Sequence, residues 1–117
     1  MMTDHFLTAT TEAVTDEVTV LIAVGEIDRD STRVLAESVR EHTGRWIVAD
    51  LTGVTFCDSS GLNYLVQLHH QLAGRGGSLA VAGARDFVLR TLRVASLDRL
   101  FPLHTTVDEA VTALSAC

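Results

Sequence analysis

Residues 46–62 read WIVADLTGVTFCDSSGL. Trp46, Ile47 and Val48 open this stretch, and residues 46–51 mix aromatic and β-branched side chains with few charges. That composition predicts a strand with both faces covered. Residues 52–57 are expected to form a loop. The short polar run Asp58-Ser59-Ser60-Gly61 then opens a helix whose apolar residues Leu62, Leu65, Val66, His69 and Leu72 recur at i, i+3, i+4 spacing. A strand running through a loop into a helix is half of a βαβ unit, so the segment sets an α/β class for the whole chain.

Upstream, residues 6–14 alternate weakly, residues 15–17 are turn-like, and residues 18–24 run VTVLIAV. These read as an N-terminal antiparallel hairpin whose second strand is the more buried. Asp28-Arg29-Asp30-Ser31 then carries helix-start chemistry, with Val34, Leu35, Val39 and His42 on the helix and Gly44 as its stop. Downstream, residues 74–77 turn, residues 78–82 form a fourth strand, and residues 86–94 a helix with Val88, Leu89 and Leu92 inward. Residues 100–103 suit an edge strand because Pro102 lacks an N–H. Thr106 and Glu109 form a capping box for a last helix over residues 107–115. The expected fold is a single domain over residues 1–117. It has one mixed four- to five-stranded sheet, the hairpin followed by βαβα units, with helices packed on the sheet.

Composition excludes several classes. The chain has 117 residues, 47% hydrophobic, with net charge −6, and all nine basic residues are Arg scattered along it. No basic stripe suggests nucleic acid. No apolar run approaches a membrane span and no secretory signal opens the chain, so a cytoplasmic protein is expected. Cys57 and Cys117 are expected as free thiols. His69-His70 lacks further ligands for a metal. No GxSxG surrounds Ser59, and residues 74–77 follow a helix, the reverse of a phosphate loop. No cofactor, metal or catalytic activity is expected.

The end of a central strand leading into a helix is where ligands and modifications gather in open α/β sheets. Free N–H groups there tolerate an anion, and would hold a phosphate on a serine. The plain alternative is that Asp58, Ser59 or Ser60 only caps the helix.

Three segments carry a resemblance. Residues 56–62 (FCDSSGL), residues 25–28 (GEID) and residues 50–54 (DLTGV) resemble, in order and spacing, the STAS-domain anti-sigma-factor antagonists of bacteria. The resemblance implies that Ser59 accepts a phosphate from a serine-kinase anti-sigma factor. The unphosphorylated protein would bind that kinase and free a sigma factor; Mg-ATP-dependent phosphorylation would release it, and a PP2C-type phosphatase would reset it. Asp28, Asp58, Ser60, Gly61 and Leu62 would line the docking surface. Within it, Ser60 is expected to cap the helix, Gly61 to allow close backbone approach, and Asp28 to cap the first helix. Tyr64 is expected to be exposed on the docking helix. A monomer is expected when free. The alternative is a non-switching STAS module acting as a scaffold or as a subunit associated with a lipid transporter.

Overall fold

The structure is a computed structural model that describes residues 7–42 and 44–115. Its elements are β1 (Leu7–Ala13), β2 (Val18–Ile27), α1 (Thr32–Ser38), β3 (Trp46–Cys57), α2 (Ser59–Ala73), β4 (Ser78–Ala82), α3 (Asp86–Val94), a 3₁₀ turn (Leu97–Arg99), β5 (Leu103–His104) and α4 (Val107–Ser115). The five strands lie in the order β1-β2-β3-β4-β5. β1 and β2 are antiparallel, and the remaining neighbours are parallel. The mixed sheet expected from the hairpin and the alternating units is therefore present, with five strands.

Strand alternation divides the core. Leu21, Ala23, Ile47, Ala49, Leu51, Leu79 and Val81 point to one face, where Leu35 of α1, Leu65, Leu68 and Leu72 of α2, and Val88 and Leu92 of α3 cover them. Val18, Val20, Val48, Ala80 and Ala82 point the other way and meet Ala110, Val107, Val111 and Leu114 of α4. β3 and β4 are thus buried on both faces, which is why their sequences read as nearly continuous apolar runs.

Three boundaries and one burial differ from expectation. Residues 52–57 are strand, not loop. β3 continues beside β2 through Val24↔Gly53, Gly25↔Val54, Glu26↔Phe56 and Ile27↔Cys57, with register shifts that absorb irregular pairing. Gly53 makes this possible, since a Cβ there would stand 3.0 Å from Val24 Cγ2. Pairing along a neighbouring strand overrode the loop expected there.

Helix α1 ends at Ser38, and His42 lies beyond it in a turn held by Arg40 N–H to Glu37 O and His42 N–H to Val39 O. Gly44 therefore does not stop the helix. It lets the chain pass Glu17, whose carbonyl oxygen would lie 2.7 Å from a Cβ at that position. The edge strand is two residues long and begins after Pro102, because Phe101 turns into the core instead. Leu89 is only half-buried; the inward stripe of α3 is Val88 and Leu92. Half of the capping box forms: Glu109 N–H donates to Thr106 Oγ1 at 3.1 Å, while Glu109 Oε1 accepts from Thr105 N–H rather than from the cap's own N–H. Cys117 lies outside the described residues.

Candidate functional site

Strands β2, β3 and β4 run parallel, so the loops that follow them meet at one end of the sheet. Ile27 and Cys57 are register partners, and Asp58 N–H donates to Ile27 O at 3.1 Å. Asp28 and Asp58, the next residue on each strand, therefore leave the sheet side by side.

Asp58 caps α2. Its backbone is extended, and Oδ1 accepts from Ser60 N–H at 2.9 Å and Gly61 N–H at 3.1 Å. Ser60, expected as the cap, sits half-buried in the first turn instead. The reason is reach: a carboxylate two residues earlier, just ahead of the helix, can accept from two N–H groups at once. Ser59 follows as the first residue of the helix and is exposed. The N–H groups expected to hold a phosphate are thus already taken by Asp58, so the cap and an anion on Ser59 would compete.

Gly61 is buried, and a Cβ on it would stand 2.6 Å from Cys57 Sγ and 2.7 Å from Ile27 Cγ2. The close approach expected of it is therefore real, and it is what seats the first turn of α2 on the strand ends. Leu62 is half-buried against the main core. Asp28 does not cap α1. Its Oδ1 accepts from Asp30 N–H and Ser31 N–H at 3.0 Å, while its own N–H donates to Ser31 Oγ at 2.9 Å. This closes a turn ahead of the helix, which starts only at Thr32, and the buried Ser31 hydroxyl bonds back to Glu26 O at 3.0 Å.

Burial, reinforced by the Asp58 charge, pushes the Cys57 thiol up to about 12. A thiol so placed is protonated and inert at neutral pH. Tyr64 is not exposed: its ring packs against the core, its hydroxyl is buried without a hydrogen-bond partner, and burial raises its pKa to about 12. His69 accepts weakly at Nδ1 from Leu79 N–H, at 3.5 Å, and tilts against Phe101 at 5.7 Å between ring centroids. Among the described residues there is no group of three or more potential metal-ligating side chains. A concavity of about 500 Å³, edged by Thr11, Glu37, Arg40 and His42, lies toward the opposite end of the sheet from Ser59.

Sequence reasoning missed the apolar surface here. Phe56 and Phe87 are 36% and 48% exposed, and their rings stack with centroids 5.8 Å apart at 6°. The available signal was that Phe87 falls off the inward stripe of Val88 and Leu92.

Comparison with known proteins agrees with this architecture. The STAS domain family pattern matches residues 10–110. An anti-sigma F factor antagonist from Paenibacillus polymyxa is 27% identical over 94 residues, 77% of this chain and 80% of that protein. The crystal structure of an anti-sigma factor antagonist from Mycobacterium paratuberculosis superposes with a TM-score of 0.83 at 30% identity, covering 97% of each chain. A low affinity sulfate transporter from Stylosanthes hamata is 38% identical over 73 residues, which are 57% of this chain and only 11% of the transporter. Among the described residues no helix is long and apolar enough to cross a membrane.

Proposed function

The chain belongs to the STAS domain family, and from that premise we propose that it is an anti-sigma-factor antagonist switched by phosphorylation at Ser59. The unphosphorylated form docks on a serine-kinase anti-sigma factor and frees the sigma factor. Transfer of a phosphoryl group from ATP to Ser59 Oγ releases it, and a PP2C-type phosphatase restores the serine. The chain itself acts by binding, in the cytoplasm, without a cofactor.

The observation that carries this reading is the exposed Ser59 beside the capping carboxylate of Asp58. A kinase needs its acceptor hydroxyl accessible, and here it stands at the start of α2 while the fold is held by Asp58 and Gly61. A phosphoserine adds about −1.5 to −2 charge at pH 7. Asp58 already takes two helix N–H groups, and Asp28 and Asp30 occupy the neighbouring turn. The added charge is therefore repelled locally rather than absorbed, and it alters a docking face without unfolding the domain.

The match to a transporter segment supports a second reading, a non-switching module serving as a scaffold or transporter-associated subunit. Ser59 separates the two. Site-resolved phosphopeptide mass spectrometry on protein from its native host decides: phosphate on Ser59 supports the switch, and a bare Ser59 and Ser60 under all growth conditions supports the module.

A further inference from the structure

Strand β3 outruns β4. Their last pair is Asp50↔Ala82, so residues 51–57 have no strand beside them on that edge. The chain after β4 turns away at Gly83 and re-enters as α3 through Asp86, whose φ of 54° is left-handed although it carries a side chain. Between residues 52–55 and residues 85–88 lies a groove of about 260 Å³. Phe87 forms part of its wall and stacks on Phe56. On the β2 side, Val24, 49% exposed, lies over Gly53 of the groove. Val24 thus adds apolar surface at Gly53, and Phe56 stands three residues before Ser59 on the same segment.

We propose that the Phe56–Phe87 stack and this groove form the apolar anchor of the docking surface and accept a hydrophobic side chain from the same kinase that phosphorylates Ser59. The inference rests on the switch reading above. Continuity is its argument: the anchor and the acceptor serine occupy the same end of the sheet, on the strand that delivers both. Phe87 stacks on Phe56, three residues from Ser59 in the chain. The make-up fits a protein contact, since aromatic side chains concentrate interface energy and charged neighbours such as Arg85 and Asp86 supply a polar rim. Phe87 does not serve the core; on α3 that falls to Val88 and Leu92.

The probe is the anti-sigma kinase retained by Ser59→Ala in the presence of ATP. Phe87→Ala is expected to weaken its binding at least tenfold and to raise KM for phosphorylation of the otherwise native protein with kcat unchanged, while the melting temperature stays put. Phe87→Leu should recover part of the affinity. Val94→Ala, 80% exposed at the other end of α3, should bind as wild type. Binding of Phe87→Ala within twofold of wild type to a kinase that Ser59→Ala retains overturns the anchor and leaves the switch standing. No kinase retained, with Ser59 bare in the native host, overturns both.

Discussion

Cys57 Sγ lies 2.6 Å from the point where a Cβ on Gly61 would stand. The sulfur is buried and the glycine is the third residue of α2, so the strand end and the helix start touch through an atom that is not there.

Gly61→Ala should therefore destabilise the protein. In an open helix the same change gains about 1 kcal/mol. Here it drives a methyl group into Cys57 and Ile27, and overpacking of that kind costs about 1–3 kcal/mol. A net loss of up to about 2 kcal/mol is expected in urea denaturation. Cys57→Ala in the same chain should recover part of it; no recovery would place the conflict on Ile27 alone.

Tyr64→Phe should stabilise. The Tyr64 hydroxyl is buried without a partner, and removing an unsatisfied buried group returns about 1 kcal/mol. A lower urea midpoint in the variant would mean that the hydroxyl is bonded in solution.

Asp58 has two separable duties. Asp58→Ala removes the acceptor for Ser60 N–H and Gly61 N–H and should cost about 1 kcal/mol. Asp58→Asn keeps a side-chain oxygen and should cost less. Ser59→Ala, on an exposed side chain, should stay within about 0.5 kcal/mol of wild type and remain bound to the kinase under ATP. Ser59→Asp should bind weakly, and adding Asp58→Asn should restore part of that binding. Failure of the double variant to recover would count against charge repulsion as the means of release.

Stability should fall as pH drops below neutrality. Burial holds His42 and His69 below the ordinary histidine value of 6.5; Arg75 lowers His42 further while Glu17 opposes, and His70 lowers His69 further. A folded value below the unfolded one means that the unfolded chain binds more protons, so stability rises with pH in that window. The contribution is complete above pH 6.5 and is lost as pH falls through the folded values. Urea midpoints between pH 7.5 and 5.5 should show the slope, and His42→Gln with His69→Gln should flatten it. A slope unchanged in the double variant would assign it to carboxylates.

The sequence by itself determined the α/β class, the hairpin, the order of elements and the placing of Ser59 at the head of a helix. Each follows from local chemistry: apolar periods of two and 3.6, and the cluster Asp58-Ser59-Ser60-Gly61 between them. What only the tertiary structure decided depends on neighbours distant in the chain. Residues 52–57 became strand because β2 lay beside them. Asp58 became the cap in place of Ser60 because the strand end set its reach. Tyr64 turned inward, and Gly44 spared Glu17 rather than ending a helix. The stacking of Phe56 on Phe87 joins residues 31 positions apart, and no local period encodes a contact between a strand end and the first turn of a later helix.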